Sequence, residues 1–107
     1  MVRPYNVTTP DAGPAFAACQ ALGWQTLACS PFVRGWQLER LIQRAGQENR
    51  ACLADHMLRY ALFASHVDRL IVSMRQIGWV RANVESVRRG PLNEEERMWL
   101  EQIVQRV

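Results

Sequence analysis

The apolar residues of this chain alternate between short β-type runs and longer stretches with helical spacing. Residues 49–64 show the helical spacing, because Leu53, Met57 and Tyr60 recur at intervals of four and three. Residues 67–74 show the β-type pattern, since they contain a β-branched apolar run. The full pattern predicts strands at 2–7, 24–30 and 67–74 and helices at 14–22, 36–45, 49–64, 77–87 and from 94 onward.

Capping and breaking residues stand at the ends of these predicted helices. Residues 8–11 (TTPD) have the chemistry of a helix start, and Asn93 is expected to cap the last helix, whose first turn is acidic. Gly23, Gly46 and Gly90 follow the apolar stretches and are expected to end the first, second and fourth helices. The helix ends are therefore the best-marked boundaries in the chain.

The order of the predicted elements indicates an α/β fold. Strands that are joined by helical crossovers form parallel sheets, and the continuously apolar stretch 70–72 is typical of a strand covered on both faces. A complete eight-stranded barrel needs about 250 residues. We therefore expect a partial (β/α)8, TIM-barrel-like unit with three parallel strands and four to five helices.

Composition and charge narrow the function classes. The 107 residues suffice for one domain, residues 1–107. All 13 basic residues are arginine, so chemistry that needs a lysine of this chain is excluded, although a base-composition bias of the genome explains the missing lysine equally well. The formal charge is +3, but acidic residues are interspersed with the arginines, and we therefore expect no nucleic-acid partner.

The cysteines and the apolar runs indicate which cellular compartment to expect and whether a metal-binding motif is present. Cys19, Cys29 and Cys52 form no CxxC pair, so neither a zinc motif nor a thioredoxin motif is predicted. No apolar run approaches the ~20 residues of a membrane span, and the N-terminus has no signal-peptide pattern. We therefore expect a cytoplasmic protein with reduced thiols and no membrane partner.

The two histidines are weak candidates for catalysis. His56 stands beside Asp55 on a predicted helix, where neighbouring residues do not face each other, and we interpret it as a partly exposed helix residue. His66 precedes the third predicted strand and is interpreted as a turn residue. No catalytic residue is assigned.

Two loops are stronger candidates for a functional site than the two histidines, because their residues can bind a ligand. The loop after the second strand (30–35) and the loop after the third (73–76) each contain a serine, one arginine and a following helix start. Ligands of parallel α/β sheets bind beyond the carboxyl ends of the strands, and this combination suits a phosphate-bearing ligand. Two arginines that are simply exposed on loops are an equally good interpretation.

At these loops the sequence resembles the C-terminal part of the aldo/keto reductases. The matching segments, in the family's order, are Tyr5-Asn6, GWQTLACSPFVRG (23–35), MLRYAL (57–62), VDRLIVSMRQIGWVRANV (67–84) and PLNEEERMWLEQI (91–103). The resemblance implies a (β/α)8 barrel that binds NADP(H) across its C-terminal loops and reduces carbonyl groups. The catalytic residues of that family belong to the half of the barrel that these segments do not include.

The resemblance also implies which cofactor contacts remain in this chain. The surviving cofactor-binding matches are Ser30, Arg34, Arg75 and Asn83, and Arg75 is the natural partner for the 2′-phosphate of NADP. The family pattern is absent at Cys29, where an aromatic residue stacks on the nicotinamide, and at Val2, where a glutamine holds the carboxamide. It is also absent at Ser73, which replaces a glycine, at Trp79, which replaces a polar adenine-side residue, and at Ala82, which replaces a glutamate.

Four hypotheses follow. The first is an aldo/keto reductase-like partial barrel that is inactive as a reductase alone and either self-associates or docks with another chain. In the second, a complementary N-terminal chain completes a working reductase. The third is a non-catalytic nucleotide-binding module, and the fourth is a helical interaction protein unrelated to the barrel.

Overall fold

A computed structural model describes residues 2–32, 35–72 and 77–105 of the chain. Within these ranges there are three strands and five α-helices. The strands are β1 (Val2–Pro4), β2 (Leu27–Cys29) and β3 (Arg69–Leu70). The helices are α1 (Gly13–Ala21), α2 (Gly35–Ala45), α3 (Arg50–Leu62), α4 (Ile77–Arg89) and α5 (Glu94–Gln105). The α/β class is confirmed, and the alternative of an all-helical protein is wrong.

The predicted helices are confirmed in order and in approximate length, and the glycine ends and the α5 cap follow the sequence signals. The start predicted at 8–11 differs, because Thr9 makes no side-chain capping bond and precedes a short 3-10 helix, Pro10–Ala12. Gly23 and Gly46 adopt φ values of 82° and 94°, in the left-handed region that glycine enters at little cost. Asn93 precedes α5 as predicted, and its side-chain oxygen accepts a hydrogen bond from the Glu96 backbone at 2.8 Å. The Glu96 carboxylate in turn accepts a hydrogen bond from the Asn93 backbone N–H at 3.0 Å, which completes a capping box.

The strands are shorter than predicted. β1 ends at Pro4, after which the Asn6 side chain turns the chain by accepting a hydrogen bond from the Thr8 backbone at 2.9 Å. β3 has two residues, although a strand was expected over 67–74, of which 73 and 74 lie outside the described residues. Just before β3, the Asp68 carboxylate accepts hydrogen bonds from the Thr26 backbone and hydroxyl. The Asp68 side chain therefore adds to the backbone hydrogen bonds that Asp68 and Arg69 donate to the Thr26 carbonyl at the amino ends of β2 and β3.

The sheet is parallel, and its strands lie in the order β1-β2-β3. In the first pair Val2 is opposite Leu27, and in the second Leu27 is opposite Arg69. Each strand therefore pairs with the next strand along the chain, and each connection carries at least one helix. This is the arrangement expected of consecutive βα units.

Among the described residues, helices cover only one face of this sheet. Ala28 is fully buried in a cluster with Phe16 of α1 and Ala61 of α3. Strand alternation places Val2 and Ile71 on the opposite face, and these residues are 60% and 49% exposed. The expectation that the 70–72 stretch is covered on both faces is therefore wrong, and one face of the sheet is open.

The core consists of two clusters that lie side by side. The first is formed by the helices and contains Val7, Leu41, Ile42, Leu53, Met57, Leu100 and Ile103. The second lies under the sheet and contains Tyr5, Phe16, Ala28, Ala61 and Val67. The half-buried side chain of Tyr60 packs against both clusters.

Within the described ranges, no helix combines the length and the apolar character that crossing a lipid bilayer would require.

Candidate functional site

The structure describes two of the four predicted cofactor-binding residues. Ser30 and Asn83 are described, whereas Arg34 and Arg75 lie outside the described residues. Ser30 follows β2 directly and adopts a φ of 53°, which is uncommon for a residue other than glycine. Its carbonyl accepts a hydrogen bond from the Asn6 side chain at 2.9 Å. Asn6 therefore ties the end of β1 to the start of the loop after β2.

Asn83 lies in an apolar pocket between α2, α3 and the first turns of α4. The pocket has a volume of about 270 Å³. It is lined by Phe32, Leu38, Ile42, Arg50, Leu53, Ala54, Trp79, Ala82 and Asn83. Phe32 belongs to the loop after β2, and the other lining residues lie on α2, α3 and α4.

The lining of this pocket has few polar groups. Trp79 is half exposed and presents an aromatic ring, Asn83 supplies an amide, and Arg50 at the start of α3 is an exposed cation. Apolar walls with a small number of polar groups are typical of small-molecule sites. The arrangement suits a flat aromatic group whose polar edge meets the amide and whose attached anion meets the guanidinium.

Two of the departures from the family pattern lie on the sheet. Cys29 is half buried at the end of β2, and Val2 is exposed at the start of β1. The registered pairs place both side chains on the open face of the sheet. Neither residue offers an aromatic ring or an amide there.

A second group of polar side chains is buried between α3, α4 and α5. His56 is only 7% exposed, and its Nδ1 lies 3.1 Å from Asp55 Oδ2. The interpretation of His56 as a partly exposed residue that does not meet Asp55 is therefore wrong. Both side chains emerge from one side of α3, where the start of α5 covers them.

Arg59 is the centre of this polar group. Its Nη1 donates to Asp55 at 3.0 Å and to Glu96 at 2.9 Å, and its Nη2 donates to the other oxygen of Glu96 at 3.1 Å. Its remaining bonds go to the carbonyls of Gly90 and Pro91, in the connection between α4 and α5. Arg89 donates to the second oxygen of Asp55 at 2.7 Å.

The hydrogen bonds and charges within this polar group lower the pKa values of its two carboxylates, Asp55 and Glu96. Burial raises the pKa of Asp55, but hydrogen bonds from Ser86, Arg59 and Arg89 together outweigh it and hold that pKa below its usual value. The hydrogen bond from the Asn93 backbone, followed by the bond from Arg59, lowers the pKa of Glu96. Both carboxylates are therefore ionised near neutral pH.

Cys52 lies one helical turn before His56, and its Sγ is 3.7 Å from His56 Nδ1. Burial, followed by the charges of Asp55 and Glu96, raises the pKa of the Cys52 thiol. A nucleophilic cysteine requires the opposite shift. The cluster is therefore unsuited to thiolate catalysis.

His66 occupies a turn, as predicted, and its ring packs edge-on against Tyr5 with the centroids 4.7 Å apart. Its Nε2 is buried and has no hydrogen-bond partner among the residues that the structure describes, and burial lowers the pKa of the ring. His66 therefore belongs to the cluster under the sheet.

Sequence reasoning missed the contacts that define the buried polar group. The spacing of Cys52 and His56, four residues apart on a helix, was a usable signal because such residues share a face. The approach of Glu96 had no local signal, since it depends on how α5 packs on α3.

A scan against protein-family models, a search of curated proteins and a search of solved structures found no match for this chain.

Proposed function

We propose that this chain is the cofactor-side part of an aldo/keto reductase-like (β/α)8 barrel. In this proposal it binds the adenosine end of NADP(H) and does not reduce carbonyl groups by itself. The sequence resemblance supports this function, and so does the topology, because consecutive strands of such a barrel are neighbours and all helices lie outside. The open face of the sheet corresponds to the barrel interior, which other strands would cover.

The observation that carries the proposal is the apolar pocket of about 270 Å³ beside Asn83. Its lining includes Phe32, in the loop that follows the carboxyl end of β2, and ligands of parallel α/β folds bind at such ends. Its volume is near the lower end of the roughly 300–1,000 Å³ of typical ligand sites, which suits a base with its ribose better than a whole dinucleotide. Trp79 would stack on the base, Asn83 would bind its polar edge and Arg50 would meet a phosphate.

The residues at the positions that bind the nicotinamide end of NADP(H) fit that role less well. Cys29 and Val2 stand where the family has the stacking ring and the carboxamide-binding side chain, and neither supplies those contacts. In this proposal the chain therefore holds the cofactor without orienting its reactive ring. A complementary N-terminal half would have to supply the catalytic residues before any carbonyl could be reduced.

Displacement of fluorescent NADPH tests the proposal and distinguishes the two ends of the cofactor. We expect NADPH to bind, 2′,5′-ADP to displace it and nicotinamide mononucleotide to leave it bound. Stacking of a base on an aromatic ring contributes about 1–3 kcal/mol, so Trp79→Ala should weaken binding about tenfold. Trp24→Ala is the matched control, because Trp24 is also an exposed tryptophan, at 59% against 49% for Trp79, and it precedes β2.

Absence of binding at millimolar NADPH would refute the proposal. Displacement by nicotinamide mononucleotide alone, or equal effects of the two tryptophan variants, would place the ligand elsewhere and refute it as well. Consumption of NADPH with a small aldehyde by the isolated chain would contradict the statement that it is inactive alone.

A second candidate function, a self-associating interaction module, is favoured by apolar side chains that remain at the surface. Val80, Val84 and Val87 of α4 are 39%, 45% and 48% exposed, at spacings of four and three. Together with the open face of the sheet they form surfaces that suit contact with protein. This candidate needs no cofactor, and the NADPH titration separates it from the first.

A further inference from the structure

We propose that His66 makes the cluster under the sheet sensitive to acid, because its neutral ring holds three segments together and its protonated ring loosens them. His66 lies in the turn before β3. Its ring packs against Tyr5, which follows β1, and against Phe16 of α1, with centroid distances of 4.7 and 5.7 Å. The proposal is independent of the nucleotide pocket, which none of these three residues lines.

The Nε2 atom of His66 is packed where a proton on it finds no acceptor among the described residues. The backbone of Gly13, the first residue of α1, lies against this part of the ring: a Cβ atom at that position would be 3.3 Å from Cε1 and 3.6 Å from Nε2. The neutral ring can carry its proton on Nδ1, which leaves Nε2 as an acceptor only. The imidazolium ion carries a proton on both nitrogens, so protonation buries a charged donor without a partner.

The groups that face His66 from the end of β1, from α3 and from α5 offer no free negative charge. Burial, followed by the hydrogen bond with Tyr60, raises the pKa of Tyr5, so the Tyr5 hydroxyl stays neutral. Both tyrosines line a pocket of about 320 Å³ together with His66, Arg59 and Arg97. The two arginines already pair with carboxylates of α3 and α5. A charge on His66 would therefore meet hydroxyls and guanidinium groups.

The nearest acidic residue along the chain, Asp68, is bound elsewhere. Its carboxylate accepts hydrogen bonds from the Thr26 backbone at 2.8 Å and from the Gln20 side chain at 3.0 Å. The Thr26 hydroxyl also donates to the His66 carbonyl at 2.7 Å, which fixes the turn without pairing the ring. The start of α1 adds the positive end of a helix dipole, which disfavours a cation.

The direction of the pH effect follows from this environment. Burial alone lowers the pKa of His66 below its ordinary value of 6.5, so the loosened segment takes up the proton first. The stability that the neutral ring contributes is complete above pH 6.5 and is lost as the pH falls from 6.5 toward the lowered pKa. Between these two pKa values the equilibrium constant for loosening rises about tenfold per pH unit, because one proton is taken up.

The other histidine of the chain is placed in the opposite way. His56 Nδ1 lies 3.1 Å from Asp55 Oδ2, and its Nε2 lies 3.5 Å from Glu96 Oε2. A charge on His56 would meet two carboxylates, whereas a charge on His66 would meet none among the described residues. Acid in this range therefore acts on the cluster under the sheet and leaves the helical cluster in place.

Urea titration followed by NMR at about pH 7.5 and about pH 5.5 tests the proposal, because methyl signals report the two clusters separately. The reporters are fully buried: Ala28 and Ala61 under the sheet, Leu53 and Leu100 among the helices. We expect the urea midpoint of the alanine signals to fall below that of the leucine signals, and the gap to widen at the lower pH. The Cε1 proton of His66 should titrate with a midpoint below 6.5.

Two variants remove the charge at residue 66 in different ways. His66→Phe keeps an aromatic ring that cannot be protonated, and His66→Gln does the same with a side chain that needs less room beside Gly13. In whichever of them folds, the gap should no longer depend on pH. His56→Gln is the matched control, since it removes the other histidine, and it should keep the pH dependence.

Four results would each overturn the proposal. These are midpoints of the two clusters that fall together at low pH, a pH-dependent gap in a folded residue-66 variant, loss of the pH dependence in His56→Gln, and a His66 ring that titrates at or above pH 6.5.

Discussion

Arg59 connects three helices through charge that is almost entirely removed from solvent. Its guanidinium meets the carboxylates of Asp55 and Glu96 and the carbonyls of Gly90 and Pro91. Removing one member of a buried ion network leaves the opposite charges without compensation, which costs more than the network contributes in net stability. The residue therefore fixes how the connection between α4 and α5 lies against α3.

We expect Arg59→Met to lower the free energy of unfolding by about 3–5 kcal/mol, because Asp55 and Glu96 lose their main partner. Urea unfolding followed by circular dichroism measures the change. Arg88→Met is the control, since Arg88 pairs with Glu85 on an exposed helix surface and should cost under about 1 kcal/mol. Equal losses in the two variants would contradict this account.

The same residues mark a limit of sequence reasoning. The sequence placed Asp55, His56 and Arg59 correctly on one helix. The four-residue spacing of Asp55 and Arg59 was a usable signal for the ion pair between them, but the sequence analysis did not predict that pair. The partner Glu96 lies 37 residues beyond Arg59, so no local pattern connects them. The burial of His56 follows from that distant contact and could not be read from its neighbours.

At the scale of elements, helix ends were predictable and strand lengths were not. The capping box at α5 is local, because Asn93 and Glu96 are three residues apart and satisfy each other's backbone. Strand length depends on a partner elsewhere in the chain, and β3 can pair only as far as β2 extends. The apolar stretch at 67–74 therefore gave the position of β3 but overestimated its length.

Asn93→Ala should lower the free energy of unfolding by about 1 kcal/mol, because the backbone N–H of Glu96 loses its acceptor. Asn93→Asp keeps a cap acceptor beside the positive end of the helix dipole and should be nearly neutral. Chemical denaturation of both variants measures the difference, and an alanine variant as stable as the aspartate variant would refute the importance of the cap.

At the scale of the whole molecule, the sequence predicted the parallel order of the strands but not that one face stays open. The continuous apolar stretch 70–72 is compatible with a strand covered on one face or on both. Leu70 packs into the cluster under the sheet, whereas Ile71 is half exposed. The described residues therefore present exposed apolar side chains on the open face of the sheet, and such side chains favour association.

We expect light scattering to report a dimer or a larger assembly, with Val2→Glu/Ile71→Glu shifting the mass toward the monomer. Both side chains are exposed on the open face, so this variant should retain its helical circular dichroism. Val84→Glu tests the exposed face of α4 separately. A wild-type chain that remains monomeric at high concentration would refute self-association through either surface.

The division of the core into two clusters has a consequence for how the molecule opens. The helical cluster and the cluster under the sheet share Tyr60, and the Arg59 network lies wholly among the helices. Separate clusters with few shared side chains behave as distinct cooperative units in native-state fluctuations. The short strands can therefore release their backbone amides to exchange while α3 and α5 remain folded, and Tyr60 marks the boundary at which such partial unfolding stops.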